Sequence, residues 1–163
     1  MGEQPKHIII YTDGACLGNP GPGGYGVVLI SGESRQEMSG GFRLTTNNRM
    51  ELLAAIVGLR AIKGTSTVTL YSDSQYLVNA ITKGWAKGWK ARGWRRSNKE
   101  KALNPDLWEE LLNLCVQHNV TFMWVRGHAG NRENECCDGL SVQAAKQQNL
   151  PPDTVYEKGR NLS

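Results

Sequence analysis

The sequence predicts an α/β fold in which helices flank a mixed β-sheet. Three features of the chain lead to this prediction. Strand-like segments joined by a short turn come first, strand and helix patterns then alternate, and glycine and proline punctuate the boundaries. Strands joined by tight turns pair antiparallel, whereas strands joined by crossover helices pair parallel, so one sheet with both kinds of pairing is expected.

The length and composition are those of one globular domain. The chain has 163 residues, of which 39% are apolar and 21% are charged, and these values exclude the disordered and fibrous classes. We expect a single domain over residues 1–163 with a core at about 7–148. A loose tail is expected over 150–163, because Pro151 and Pro152 are followed by no apolar period.

The sequence shows no targeting or membrane segment. No N-terminal stretch has the apolar length of a signal peptide, and no window approaches the roughly 18 apolar residues of a membrane span. The four cysteines include no CxxC pair, which favours reduced thiols. A cytoplasmic protein without membrane contact is therefore expected, with a monomer as the default state.

The first three predicted strands form a meander. A β-branched run over 7–11 predicts a buried strand, and the glycine- and proline-rich stretch 19–24 predicts a tight turn. Residues 26–30 have the pattern of the returning strand. A third strand is expected around 36–44.

Helices and strands alternate in the rest of the chain. Asn47 or Asn48 is expected to cap a helix that ends at Gly64, and a strand over 67–71 and a helix over 75–82 follow. Three further elements complete the prediction: a helix that starts at Asn104-Pro105-Asp106, a strand over 120–125 and a helix over 131–148.

Two acidic residues directly follow predicted strands. Asp13 ends the step Tyr-Thr-Asp, and Asp73 ends the similar step Tyr-Ser-Asp. Functional sites of α/β sheets gather at the carboxyl ends of parallel strands. Two acids there would repel and raise each other's pKa unless a cation lay between them, which suggests a divalent-metal site. For either acid alone, a turn or cap role explains the residue equally well.

Three other candidate residues are ordinary when taken singly. Glu51 lies in the first turn of its predicted helix, where a carboxylate favours the helix dipole, and Asp138 lies in the last helix. His128 lies in a glycine-flanked loop, and its ordinary pKa near 6.5 would suit proton transfer. A surface histidine without a role is the alternative, and spacing alone does not bring the four acids together.

Two other kinds of site are excluded. The glycine-rich turn lacks the Gly-Lys-Ser/Thr step of a phosphate-binding loop, and a strand follows it instead of a helix. His128 with Cys136 and Cys137 lacks the ligand spacing of a zinc site.

Positive charge is concentrated between Lys83 and Lys101. This stretch has eight basic residues and one acidic residue, a net charge of +7, while the whole chain has +4. Three of the five tryptophans alternate there with cations and glycines. Such a segment favours contact with the phosphates and the flat surfaces of a nucleic acid, although each tryptophan is as well explained as a core anchor.

Four segments together resemble the ribonuclease H family, and closely its bacterial type I members. They match in order and spacing and cover about residues 7–148. In this chain they read Y-T-D-G-A-C-L-G-N-P-G-P-G-G-Y-G (11–26), T-T-N-N-R-M-E-L (45–52), S-D-S-Q-Y (72–76) and G-H-A-G-N-R-E-N-E-C-C-D (127–138).

The resemblance implies a ribonuclease H-like fold with a five-stranded mixed sheet flanked by helices. It also implies that Asp13, Glu51, Asp73 and Asp138 are catalytic metal-binding carboxylates and that His128 handles a proton. The implied reaction is endonucleolytic hydrolysis of the RNA strand of an RNA–DNA hybrid by two divalent ions. Mg²⁺ is the expected ion, with Mn²⁺ as an alternative, and the products carry 5′-phosphate and 3′-hydroxyl ends.

The resemblance further implies contacts with the hybrid. The expected contacts with the RNA strand are Cys16, Asn19, Asn48 and Gln75. The expected contacts with the DNA strand are Thr46 and Trp89. The resemblance also implies that the segment after Thr82 forms a basic protrusion. Besides Trp89, its expected contact residues are Trp85, Lys87, Lys90, Arg92, Trp94, Arg95 and Arg96.

Two alternative functions remain at this point. One is a DNA nuclease like the integrases and transposases, against which the Gly-His-Ala-Gly-Asn motif with Asp138 and the basic tryptophan segment argue. The other is a hybrid-binding module without catalysis, against which the presence of all four acids argues.

Overall fold

The computed structural model describes residues 7–97, 100–127 and 129–161, and these residues contain one five-stranded mixed sheet. The predicted α/β class is confirmed. In the sheet the strand order is β3-β2-β1-β4-β5. The strands are β1 (His7–Cys16), β2 (Gly21–Ser31), β3 (Ser34–Thr45), β4 (Thr67–Ser72) and β5 (Asn119–Trp124).

The central strand β1 joins the two halves of the sheet. β1, β2 and β3 form the antiparallel meander, whereas β4 runs parallel to β1 and β5 runs parallel to β4. In the β1–β4 ladder, Thr12 lies beside Ser72. An aspartate follows each of these two residues, so the register places Asp13 and Asp73 at the same edge of the sheet.

Helices cover both faces of the sheet. The helices are α1 (Asn47–Arg60), α2 (Gln75–Thr82), α3 (Trp85–Ala91), α4 (Pro105–Gln117), α5 (Arg132–Ala145) and α6 (Thr154–Asn161). α1 packs on one face of β1 and β2, and α5 packs on the other. α5 comes close because β2 presents Gly26 to it: a Cβ there would lie 2.3 Å from the Cys137 carbonyl oxygen.

An aromatic cluster anchors the helices beside β4 and β5. Trp108 of α4 is fully buried, and its ring meets Tyr76 and Trp89 edge-on at centroid distances of 5.5 and 5.8 Å. The indole Nε1 of Trp108 donates a hydrogen bond to the Tyr76 hydroxyl at 3.0 Å, so its polar group is satisfied inside the core.

The predicted boundaries of α1 were wrong at both ends. The cap is Thr46, whose hydroxyl accepts from the Arg49 N–H, and the Asn47 N–H donates separately to the Asn19 side chain. The helix ends at Arg60, where its last bonds tighten to the third residue back. Gly64 (φ 77°) serves the following turn instead.

The predicted loose tail was also wrong. Residues 154–161 form α6, and Asp153, before the helix, is only 8% exposed. Its carboxylate accepts from Thr45 and Arg49, and the Arg43 N–H donates to the Pro151 carbonyl. Charge and hydrogen bonds hold this segment, so a search for apolar periodicity could not detect it.

No helix in the described part of the chain has the length and apolar character needed to cross a membrane.

Candidate active site

Three carboxylates meet at the carboxyl edge of the sheet. Asp13 lies in the last part of β1, Asp73 directly follows β4, and Glu51 is on α1, which packs against β1. One oxygen from each of these side chains lies within 4.8 Å of the other two. Two strands and one helix therefore bring together acids that are up to 60 residues apart in sequence.

Asp138 reaches the same cleft from the opposite layer. It lies on α5, is half-buried, and lines a cleft of about 420 Å³ together with Asp13, Glu51 and Asp73. It lies outside the tight group of three oxygens. The fold thus brings all four predicted acids to one cleft, with Asp138 outside the closely spaced group of three.

Gly14 joins two of the carboxylates. Its N–H donates to Asp13 Oδ1 at 2.9 Å and to Glu51 Oε1 at 3.0 Å. A Cβ at this position would lie 2.5 Å from the backbone nitrogen of Glu51, so only glycine allows α1 to approach β1 this closely. Gly14 was not among the predicted site residues, although the Asp-Gly step shortly after the apolar run of β1 was a signal that could have indicated it.

The carboxylates of Asp13 and Glu51 are shielded from water and have no cationic partner among the described residues. Asp13 and Glu51 are 4% and 3% exposed. Burial raises the pKa of both, and the negative charges of Glu51 and Asp73 raise the pKa of Asp13 further. Within the described residues, none of the ion pairs includes any of the four acids.

A divalent cation fits this environment. The Oε2 atom of Glu51 is buried and has no hydrogen-bond partner among the described residues, although a buried carboxylate oxygen is costly to leave unpaired. The cluster offers oxygen ligands only, which are those that hard divalent ions prefer. A cation there would supply the missing partner and offset the mutual repulsion.

The loop after β5 closes the Asp73 side of the cleft. A Cβ on Gly127 would lie 2.8 Å from Asp73 Oδ2, so the loop passes directly against this carboxylate. His128, the predicted proton-handling residue, is next in the chain and lies outside the described residues. Its role stays a prediction.

The fold and the acidic cluster agree with the comparisons with known proteins. The family model described as RNase H matches residues 5–146 of the chain. This chain belongs to the ribonuclease H family. It is therefore an endoribonuclease, and both the predicted family and the predicted enzyme class are confirmed.

Individual relatives are similar over almost the whole chain. The Ribonuclease H of Syntrophus aciditrophicus is 70% identical over 154 residues, covering 94% of this chain and 89% of that protein. The Ribonuclease H of Rippkaea orientalis is 66% identical and covers 96% of each chain. Among solved structures, the type 1 enzyme LC9-RNase H1 is 34% identical with a TM-score of 0.81, covering 92% of this chain and 77% of that one.

Ribonucleases H depend on metal ions, and the acidic cluster is the candidate metal site of this member. The other predicted site residues fall into two groups: the small polar residues near the cleft, and the basic segment on α3 and the turn after it.

The small polar residues near the cleft bond mainly to the backbone around it. Cys16 lines the cleft, and its thiol donates to the Gly21 and Thr45 carbonyls. Asn19 is exposed, and its side-chain oxygen accepts from the Asn47 N–H, which joins the β1–β2 turn to the start of α1. The remaining members of this group are Thr46, the cap of α1, half-buried Asn48 and exposed Gln75.

The three tryptophans of the basic segment have different environments. Trp85 is 43% exposed, whereas Trp89 is only 8% exposed and packs on Trp108. Trp94 is half-buried and packs against the core. Only Trp85 thus presents much of its ring to solvent, and any contact by Trp89 is limited to the edge that remains exposed.

The cations of the basic segment are exposed, and they have different neighbours. Lys87 and Lys90 line an apolar groove of about 500 Å³ between α3 and α4. Arg92 donates to the Arg95 carbonyl, and Arg96 pairs with Glu100. The structure therefore divides the predicted basic protrusion into a lysine face on α3 and an arginine-rich turn after it.

Proposed function

We propose that this enzyme hydrolyses the RNA strand of an RNA–DNA hybrid in the cleft formed by Asp13, Glu51, Asp73 and Asp138. The observation that carries the proposal is the group of three carboxylate oxygens within 4.8 Å, in which Glu51 Oε2 has no hydrogen-bond partner in the part of the chain that the structure describes. Such a group is costly as a purely structural feature, and metal-dependent phosphodiester hydrolysis uses it directly.

The proposed cofactor is a pair of divalent ions, Mg²⁺ by preference and Mn²⁺ as an alternative. When bound, the ions would activate the attacking water and offset the charge on the scissile phosphate. Asp13, Glu51 and Asp73 would supply ligands on one side of the cleft, and Asp138 would supply one from the α5 side. The Gly14 N–H holds the orientation of two of these carboxylates before any ion binds.

The bond changes of the proposed reaction balance without a further reactant. The water oxygen bonds to phosphorus, the bond between phosphorus and the 3′-oxygen breaks, and the water proton leaves as the 3′-oxygen gains one. His128 is the proposed group for moving a proton in this step. The products carry a 5′-phosphate and a 3′-hydroxyl.

The proposed strand discrimination uses the polar residues around the cleft. Cys16, Asn19, Asn48 and Gln75 would follow the RNA strand near its 2′-hydroxyls, since hydroxyls are sensed by hydrogen-bonding groups. Thr46 and the exposed edge of Trp89 would contact the DNA strand. The basic protrusion of Trp85, Lys87, Lys90, Arg92, Trp94, Arg95 and Arg96 would attract phosphates.

The test is cleavage of an end-labelled hybrid by the wild type and by Asp73→Asn. Wild type should cut only the RNA strand in Mg²⁺, and Asp73→Asn should be inactive yet folded and able to bind the hybrid. Glu157→Gln is the matched control, because it removes an acid far from the cleft and should leave cleavage unchanged.

Other outcomes would favour the alternatives. Cleavage of a DNA duplex would favour an integrase-like nuclease, and binding without cleavage would favour a non-catalytic module. A monomeric state and a cytoplasmic location belong to the same proposal, and the former is checked by light scattering on the wild type.

A further inference from the structure

The peptide bond between Asp73 and Ser74 is held at both of its polar groups. The Ser74 N–H donates to the Ser72 hydroxyl at 3.0 Å. The Asp73 carbonyl oxygen accepts from the indole Nε1 of Trp124 at 3.1 Å. Because the carboxylate hangs from the Cα atom beside this peptide, fixing the peptide limits the directions that the Asp73 side chain can take.

Trp124 reaches Asp73 because of its place in the sheet. It is the last residue of β5, and the parallel β4–β5 register puts it beside Ser72. It lies two residues after buried Phe122, so it shares the face of that residue but extends beyond the core. Its ring is 45% exposed.

Because Trp124 is exposed, packing in the core does not explain why a tryptophan lies at this position. Among the described residues its ring takes part in no aromatic pair, whereas Tyr76 and Trp89 each pair with Trp108 in the core. Its only donor is directed at the backbone of a proposed metal ligand. If that donor were removed, water could replace it at the carbonyl, so the fold would lose little and the position of Asp73 would lose a constraint.

The same carboxylate is confined from a second direction. Gly127, three residues after Trp124, leaves no room for a Cβ, which would lie 2.8 Å from Asp73 Oδ2. Its φ lies outside the left-handed region, so a side chain there would cause no backbone strain and would act by displacing the Asp73 carboxylate. β5 therefore contacts Asp73 at its backbone carbonyl, and the start of the loop after β5 contacts it at its carboxylate.

We propose that Trp124 is a positioning residue that holds Asp73 for divalent-metal binding through its indole N–H, with Gly127 as the opposing wall. This inference rests on the proposed metal-binding role of Asp73. Groups that orient metal ligands typically change metal affinity or activity by about 10- to 100-fold when they are removed.

The first experiment measures Mg²⁺ affinity without substrate, by NMR titration of the Asp73 carboxylate. Trp124→Phe keeps an aromatic ring and removes the donor, and it should raise the Mg²⁺ dissociation constant by about tenfold. The KM for the hybrid at saturating Mg²⁺ should not change. Gly127→Ala should weaken Mg²⁺ binding through the other side of the same carboxylate.

Met123→Ala is the matched control. Met123 is also 45% exposed and is the neighbour of Trp124, but it points to the opposite face of β5. It should leave both Mg²⁺ affinity and cleavage unchanged. Equal Mg²⁺ affinity in wild type and Trp124→Phe would overturn the proposal. This holds even if the urea midpoint of Trp124→Phe fell, because the indole would then serve only stability.

A second measurement uses the wild type and needs no variant to fold. During Mg²⁺ titration, the indole N–H resonance of Trp124 should shift with the midpoint of metal binding. The indole N–H of Trp85, which is 43% exposed and lies in the basic segment, should not shift. A Trp124 resonance that stays still while Asp73 responds would also overturn the proposal.

Failure of the proposed function has a different signature. If Asp73→Asn retained Mg²⁺ binding and cleavage, the site assignment itself would fail, whatever Trp124→Phe did. If Asp73→Asn were inactive while Trp124→Phe matched the wild type in Mg²⁺ affinity, only the positioning role would fail.

Discussion

Asp13 and Glu51 make the stability of the metal-free protein depend on pH. Burial raises the pKa of both carboxyl groups in the folded chain, and the charges of Glu51 and Asp73 add to the shift of Asp13. The folded state therefore binds more protons than the unfolded state above the unfolded pKa of about 4. We therefore expect the free energy of unfolding of the metal-free protein to fall as the pH rises through this range.

We expect a loss on the order of 2 kcal/mol between about pH 5 and 8 in EDTA, measured by urea unfolding. Saturating Mg²⁺ should reduce the loss, because the ion favours the charged carboxylates. Asp13→Asn should flatten the curve even in EDTA. A free energy of unfolding that rises with pH in EDTA would contradict the assignment of these pKa shifts.

At the level of single residues, the sequence indicated some site members and concealed others. Asp13 and Asp73 were visible because each directly follows a strand pattern. Glu51 and Asp138 joined them only through the family resemblance, since their contacts depend on how α1 and α5 dock on the sheet. Trp124 gave no signal, because its contact is with the backbone of a distant residue.

Among the elements, the C-terminal segment is bound through a buried charge cluster. Arg49 is 4% exposed and pairs with both Asp106 and Asp153 at 2.7 Å. Asp153→Ala would leave Arg49 with one acidic partner and remove the acceptor for Thr45. Breaking a buried pair in this way typically costs about 3 to 5 kcal/mol.

This expected loss should appear in the free energy of unfolding of Asp153→Ala, measured with urea at pH 7. The control is Glu157→Ala, which breaks the exposed pair with Arg43 and should cost less than about 1 kcal/mol. Equal small losses in the two variants would show that the segment is no more firmly held than the sequence suggested.

The basic segment gives a second prediction at this scale. Replacing Lys87, Lys90, Arg95 and Arg96 with alanine should weaken hybrid binding and reduce its salt dependence. Each lost phosphate contact lowers the log-log slope against salt by about 0.9 for a duplex. Fluorescence anisotropy with a labelled hybrid at several salt concentrations measures both effects.

Lys146→Ala, on the exposed end of α5, is the control and should leave the slope unchanged. Separate pairs of substitutions, Lys87 with Lys90 and Arg95 with Arg96, would show which face of the segment meets the substrate. An unaltered slope in the fourfold variant would remove this segment from the proposed docking surface.

Prediction of elements was accurate where an apolar pattern ran through the whole element and failed elsewhere: β1 and β2, predicted over 7–11 and 26–30, extend over His7–Cys16 and Gly21–Ser31. β4 and α2 were placed within one residue of their observed bounds. The cap of α1 and the helix α6 were missed, because Thr46 and Asp153 act through hydrogen bonds that periodicity does not encode.

For the whole molecule, we expect cleavage to require both kinds of strand at once. One path over the surface is proposed to sense 2′-hydroxyls and the other to exclude them, so neither double-stranded RNA nor double-stranded DNA should be cut. Matched duplexes in which ribonucleotides are replaced stepwise by deoxyribonucleotides test this. Efficient cutting should need several consecutive ribonucleotides at the site, and efficient cutting at a single one would contradict the expectation.

The four acids come from three layers of the fold, so the complete set of ligands can form only after all three layers have packed together. Glu51 comes from the helix layer on one face, Asp13 and Asp73 come from the sheet, and Asp138 comes from the helix layer on the other face. A chain in which either helix layer has not yet docked therefore holds an incomplete set of ligands. A partly folded or newly synthesised chain would be inactive. Nuclease activity would arise only when both α1 and α5 have docked on the sheet.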